Sequence, residues 1–473
     1  MKIYLSILLL VLTCFGCIND SKKKDVHYAY LGGEIINPNS NYIILSQRER
    51  VIDTIKLDGR NRFLYKIKNV NEGIYTFSHG GEYQIVLIEP ADSLLLRLNT
   101  LDFDESLVFT GIGDKKNNYL INDYLENEIE ERHILRLCQL SPNTYQNHID
   151  SLKLKKLEAL KKFKKKYDYS PLFEEIALTN INYSYYSNKE VYPFVHYGKN
   201  KAAILASLPN DFYDYRKNID YNDESLSSYH NYNTFLRHHF RNLSLKAHDE
   251  HAMGKSFNRK SVCYNLDRLK LIDSLVVNET IKNDLLNYFT IKYLASSKNE
   301  VSNNAILKSY LNKSTNDKDK EMISQYTKSI NLLKDGSKIP SVSLIDYNNQ
   351  VLDLENIIVR PTVITFWSYL YYQHFKESHY KLIELKEKYP EVDFISINVD
   401  KFGIEKSRKI LKNNEFTQEN EFQFKYPKEA SKALAIHPMT KTIVIDQDHK
   451  IVNSNTNIFS IYFEKELLGL INR

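Results

Sequence analysis

The sequence predicts a multidomain α+β protein in three consecutive parts: an N-terminal all-β sandwich or barrel, a helical middle and a C-terminal α/β domain. Three observations carry this expectation. Residues from about 27 to 111 alternate short apolar runs with turn residues, residues from about 115 to 333 place apolar side chains at helical spacing, and residues from about 336 to 473 alternate strand-like and helix-like stretches. A chain of 473 residues has room for two to four domains, and 42% hydrophobic residues supply cores and exclude wholesale disorder. The net charge of +5 comes without a basic block, so no nucleic-acid partner is expected. The 35 tyrosines suit half-exposed grooves and interfaces, but an AT-rich coding sequence explains them more simply.

The β region is read from eight runs: 30–35, 42–46, 51–57, 63–67, 74–77, 83–88, 94–98 and 107–110. Asn37-Pro38-Asn39-Ser40, Asp58-Gly59 and Gly80-Gly81 punctuate them, and Gly32-Gly33 reads as a further turn. In the helical region, residues 149–167 set Leu152, Leu154, Leu157, Leu160 and Phe163 on one side and lysines elsewhere. Comparable patterns recur at 171–185, 225–245, 266–275, 279–295, 304–311 and 322–333, without the fixed period of a solenoid. Asp335-Gly336-Ser337-Lys338-Ile339-Pro340 then breaks the helical pattern. Strands are expected at 342–345, 351–352, 363–367, 393–399, 442–446 and 450–454, with helices at 375–389, 405–412 and 463–470.

Ahead of the first strand, Met1-Lys2-Ile3 leads into an apolar run at 4–13 and then Cys14-Phe15-Gly16-Cys17. One positive charge, a short apolar core and a small residue describe a secretory signal at 1–17, too short to span a bilayer. Gly16 before Cys17 resembles a bacterial lipobox, which implies acylation of Cys17, with Cys14 as the alternative. Residues 18–26 then read as a solvated tether. The expectation is an envelope lipoprotein held on the membrane by its N-terminal lipid, in the outer membrane and facing the periplasm.

In the last region, Phe366-Trp367-Ser368-Tyr369-Leu370-Tyr371-Tyr372-Gln373-His374 follows a strand and leads into a helix. It resembles the F-W-x-x-W-C-x-x-C segment of envelope thiol–disulfide oxidoreductases of the TlpA/ResA type. The opening Gly336-Ser337-Lys338-Ile339-Pro340, Glu377 and the Ile-x-x-Asp of 397–400 suit the same pattern. The N-terminal strand order likewise resembles the β-domain that precedes thioredoxin domains in many Bacteroidota lipoproteins. The resemblance implies a thioredoxin-like fold for 336–473 and sets Tyr371 at the attacking-cysteine position and His374 at the resolving one. Thiol–disulfide exchange needs a thiolate and a second sulfur, which tyrosine and histidine do not supply. The fold also implies a cis-proline loop. Counted back from the strand at 442, that position falls on Thr440, with Pro438 two residues early, so a trans loop is expected; a two-residue shift of the alignment would restore Pro438.

Other candidate residues offer less. Cys138 and Cys263 are the cysteines left after the signal, and whether they pair is open. His374, Glu377 and His379 are too few for a zinc site, and His374 reads as a water-satisfied histidine at a helix start. His248-Asp249-Glu250-His251, with His238-His239 before it, lacks H-E-x-x-H spacing and reads as a solvated loop. No metal or cofactor is expected. The reading is a binding or scaffolding protein without catalysis, with Tyr369, Tyr371 and Tyr372 as a contact surface for an envelope protein or peptide. The alternative is a thiol–disulfide oxidoreductase or peroxide-handling enzyme, which would have to draw its thiols from Cys138 and Cys263.

Overall fold

The computed structural model describes residues 27–47, 50–227, 229–252 and 257–471. The expected signal at 1–17, its acylation site Cys17 and the tether at 18–26 lie outside them. The described chain forms two units: one holds residues up to 77 together with 84–121, the other holds 78–83 together with 122 onward.

All eight strands of the β region form: β1 (Tyr28–Ile36), β2 (Tyr42–Gln47), β3 (Arg50–Lys56), β4 (Arg62–Lys68), β5 (Gly73–His79), β6 (Glu82–Ile88), β7 (Ser93–Asn99) and β8 (Val108–Ile112). They make two four-stranded sheets, ordered β4-β1-β7-β8 and β3-β2-β5-β6. Strand β7 shows why: Leu94, Leu96 and Leu98 are buried while Leu95 and Arg97 point to solvent, the period-2 pattern of a half-covered sheet. Gly32-Gly33 is not a turn. Both residues sit inside β1, which is flanked by β4 and β7, and a Cβ at Gly33 would fall 2.3 Å from the Leu96 carbonyl. The first turns of helix α1 (Asp114–Leu137) close this unit. The Asn117 amide donates to Leu87 O (2.9 Å) and accepts from Leu87 N (2.7 Å), and Asn118 does the same for Phe109 (2.8 and 2.9 Å). Each amide thus stands in for a neighbouring strand on an edge strand, satisfying groups that would otherwise invite pairing.

The second unit continues with α2 (Pro142–Lys166), α3 (Pro171–Val195), α4 (Lys201–Ala206), α5 (His230–Asp249), α6 (Val262–Leu275), α7 (Glu279–Leu294), α8 (Glu300–Lys313) and α9 (Asp317–Leu332). In α2 the expected apolar face is only partly right. Its buried stripe is Tyr145, Ile149, Lys156 and Leu160, whereas Leu154 is 61% exposed, half a turn away. Lys156 is buried because acids surround it: Glu130 at 3.1 Å, Asp123 at 3.5 Å and the Asn127 amide oxygen at 2.6 Å. A spacing argument assigns lysine to solvent and has no means of finding such a partner set.

The C-terminal region builds a seven-stranded sheet ordered β10-β9-β13-β12-β11-β14-β15. Its strands are β9 (Ser343–Asp346), β10 (Val351–Asp353), β11 (Thr362–Trp367), β12 (Asp393–Asn398), β13 (Glu421–Phe424), β14 (Thr442–Ile445) and β15 (Ile451–Thr456). Strands β11, β12 and β13 run parallel, and β9 and β14 join antiparallel on either side. The helices are α10 (Tyr372–Lys388), α11 (Ile404–Asn413), α12 (Pro427–Ala433) and α13 (Phe463–Ile471). Along β11, Ile364 and Phe366 pack with Ile395, Ile397 and Ile443 on one face, while Val363 packs with Phe394, Leu382 and Leu467 on the other. Both faces are covered, so the strand reads as a continuous apolar run. This is a thioredoxin-like α/β domain. Strand β13 and helix α12 were not foreseen: four and seven residues give no period to read.

Candidate functional site

Strand β11 ends at Trp367 and delivers the motif segment to the start of α10. Ser368 begins a short 3-10 turn at 369–371, its hydroxyl accepting from Leu370 N (3.1 Å), and Tyr371 then caps α10. Asp400, of the Ile-x-x-Asp element, fixes that turn from behind. Its carboxylate accepts from the Ser368 hydroxyl (2.5 Å), the Tyr369 N–H (2.8 Å) and the Asn398 amide (3.2 Å). Trp367 is fully buried and donates its indole N–H to Glu421 (3.1 Å). The other oxygen of Glu421 lies 3.2 Å from His379 Nε2 without the alignment of a hydrogen bond, and His379 Nδ1 meets the Phe375 carbonyl at 2.7 Å.

On this frame Tyr371 is 57% exposed and Leu370 is 64% exposed. Tyr369 and Tyr372 are only half-exposed: both pack against the cluster of Trp367 and Phe375, and the Tyr372 hydroxyl donates to Asn414 (2.8 Å). Of the three tyrosines expected at a contact surface, Tyr371 is the exposed one, with Leu370 beside it. Residues 78–83, which group with this unit, lie close by. A Cβ at Gly81 would come within 2.2 Å of the Leu370 carbonyl, so glycine is required for that approach.

His374, one helical turn on, is not a water-satisfied histidine. Its Nε2 lies 3.3 Å from the Phe366 carbonyl and the ring also meets the Met439 backbone. Burial holds its pKa below the ordinary histidine value, with the Phe366 carbonyl opposing. Glu377 points away, exposed and bonded to Gln373 (2.8 Å), so the His374–Glu377–His379 set does not converge. The contact of His374 with Met439 brings the second motif position against the loop at 437–440. There the expectation of a trans loop needs correcting: the His437–Pro438 bond is cis, as the two-residue shift of the alignment would have it. A turn closed by Lys441 N–H to Pro438 O (3.0 Å) takes up the two residues between the proline and β14. Counting back from the strand assumed no such turn. Lys441 itself was missed. It is buried, donates to the Leu434 and Ala435 carbonyls (2.8 and 3.0 Å), and burial pulls its pKa down to about 7. The residue type gave no signal for that.

The thiols lie elsewhere. Cys138 and Cys263 are both free, so no disulfide joins them. Cys138 is buried among Tyr145, Tyr192 and Phe212, and burial pushes its pKa up to about 11. Cys263 is exposed, on α6.

The most strongly perturbed acid is also remote from the motif. Glu190, on α3, is fully buried, with Arg216 Nε at 2.8 Å, the Tyr215 hydroxyl at 2.7 Å and His239 Nδ1 at 2.6 Å. Burial alone would raise its pKa, but the His239 and Arg216 charges outweigh it and hold the carboxyl at about 2. The Arg216 guanidinium also stacks on Tyr213 at 3.6 Å. His239 belongs to this core rather than to a solvated patch, and His248 and His251 both turn toward Asp267.

No family model matches the chain, and no curated protein matches it. Among solved structures, the chain is similar to a thiol:disulfide interchange protein from Bacteroides sp., at 14% identity and a TM-score of 0.26, covering 30% of this chain and 92% of that one. A thioredoxin-like protein from Bacteroides caccae gives 16% identity and a TM-score of 0.32, covering 44% and 77%. The thioredoxin domain of a thiol-disulfide oxidoreductase from Bacteroides vulgatus gives 15% identity and a TM-score of 0.25, covering 29% and 98%. Among the described residues no helix is long and apolar enough to cross a membrane.

Proposed function

We propose that the chain is a lipid-anchored envelope protein whose thioredoxin-like domain binds a protein or peptide partner and does not exchange disulfides. One observation carries this reading: no cysteine occurs between residues 264 and 473, so the motif positions, read as Tyr371 and His374, hold no thiol. The frame around the motif is otherwise kept, with Asp400 holding the turn, His374 against the Pro438 loop and Leu370 and Tyr371 turned outward. A kept frame with exposed apolar and aromatic side chains suits recognition, since aromatic anchors dominate interfaces. The oxidoreductase alternative must draw on Cys138 or Cys263. A thiol held near 11 is almost wholly protonated at neutral pH, and the thiolate is the nucleophile, so Cys138 does not qualify.

A photo-crosslinking amino acid at position 371, in the native envelope, tests the reading. The expected result is a discrete crosslinked partner that is lost when the crosslinker stands at the exposed position 154 instead. An identical pattern from both positions, or insulin reduction by a Cys138→Ser/Cys263→Ser variant, would overturn it.

A further inference from the structure

We propose that His248, His251, Cys263 and Asp267 form a Zn²⁺ site that clips the end of α5 to the start of α6. His248 lies in the last turn of α5 and His251 just beyond it, while Cys263 and Asp267 are four residues apart on α6 and share a face. His248 Nδ1 and His251 Nε2 each lie 3.0 Å from the same oxygen of Asp267, and Cys263 Sγ lies 3.8 Å from His251 Nδ1. One donor atom from each of the four residues falls within 4.8 Å of all the others. Zinc binds nitrogen at about 2.0–2.1 Å, carboxylate oxygen at about 2.0–2.2 Å and thiolate at about 2.3 Å, so the donors of a tetrahedral site lie about 3.3–3.6 Å apart. The separations of the two histidine nitrogens from Asp267, 3.0 Å each, fall a few tenths of an ångström short of that spacing, and Cys263 meets His251 at the other ring nitrogen.

The donor chemistry selects the ion. Two imidazoles, a thiol and a carboxylate suit borderline-soft Zn²⁺, whereas Ca²⁺ and Mg²⁺ call for oxygen ligands throughout. All four ligands come from the protein, as in closed structural sites rather than catalytic ones with an open position. The His251 side chain is 48% exposed, which leaves the cluster open to an entering ion. Among the described residues this is the group of histidine, cysteine and acidic donors that converges in this way.

The test uses untagged full-length protein stripped with a chelator and titrated with Co²⁺. The expected result is one equivalent bound, with the visible bands of a tetrahedral site and a thiolate-to-cobalt charge-transfer band, all removed by added Zn²⁺. Cys263→Ser should abolish the charge-transfer band. Outer-shell changes alone cost about 10–100-fold in metal affinity, so Asp267→Asn or His251→Gln, which remove a direct ligand, should weaken binding by at least about tenfold. X-ray absorption on the zinc-loaded wild type needs no variant and should show one sulfur and three nitrogen or oxygen neighbours. An octahedral cobalt spectrum, a spectrum unchanged by Cys263→Ser, or a zinc shell without sulfur would overturn the proposal.

Discussion

Glu190 in the helical region and Asp400 in the C-terminal sheet are both carboxylates withdrawn from solvent, yet they meet different partners. Glu190 is gripped by a guanidinium, an imidazole and a phenol, and its network closes on itself in the interior. Asp400 takes only neutral donors, a hydroxyl, a backbone N–H and an amide, directly behind the exposed Leu370 and Tyr371. A strongly shifted pKa is often a pointer to function, but at Glu190 it accompanies a closed internal network. The solvent-facing turn is held by the network of neutral donors around Asp400. The lesson is to ask where a polar cluster opens to the surface before asking how far its members are perturbed.

The comparison can be broken most forcefully at Glu190. Glu190→Gln removes the countercharge of a buried group and should cost about 3–5 kcal/mol, read from denaturant unfolding of the second unit. The pH dependence carries the same sign. A folded pKa of about 2, below the ordinary 4.5, contributes stability that is present above about pH 4.5 and lost as pH falls toward 2. The gap between wild type and variant should therefore narrow across that acid window; a gap that stays constant would show that Glu190 is not held as a carboxylate. Asp400→Ala should be milder, about 1–3 kcal/mol, because it strands the Tyr369 N–H and the Ser368 hydroxyl without stranding a charge. A larger loss at Asp400 than at Glu190 would reverse the comparison. Tyr371→Ser should change stability by no more than about 0.5 kcal/mol, since its ring is mostly exposed. A cost above 1 kcal/mol would mean the ring is part of the core and not of a contact surface.

How much of this was legible in the sequence depended on whether a residue's role was local. All eight N-terminal strands were readable, because alternation and turn residues act within a few positions. Gly32-Gly33 misled, since the same residue type serves a turn and a tight three-strand crossing. The resemblance marked the Ile-x-x-Asp element, but not its hold on the turn at 369–371. The Pro438 loop was misplaced because a short turn before β14 leaves no pattern. Lys156 and the Asp267 cluster stayed hidden for a common reason: each depends on partners brought in by other segments. The spacing that placed Leu154 inward failed on the same ground, because a buried lysine had taken part of that face.

Tyr371 and His374 are proposed to occupy the two redox positions of an otherwise retained thioredoxin frame. Residues three apart on a first helical turn have Cα atoms about 5 Å apart, within the reach of a disulfide. The direct test is Tyr371→Cys with His374→Cys in a Cys138→Ser/Cys263→Ser background, with free thiols counted by mass spectrometry after mild oxidation. The expected result is one intramolecular disulfide, no free thiol at either position and a circular dichroism spectrum like that of the wild type. Two persistent free thiols in a natively folded protein would contradict it.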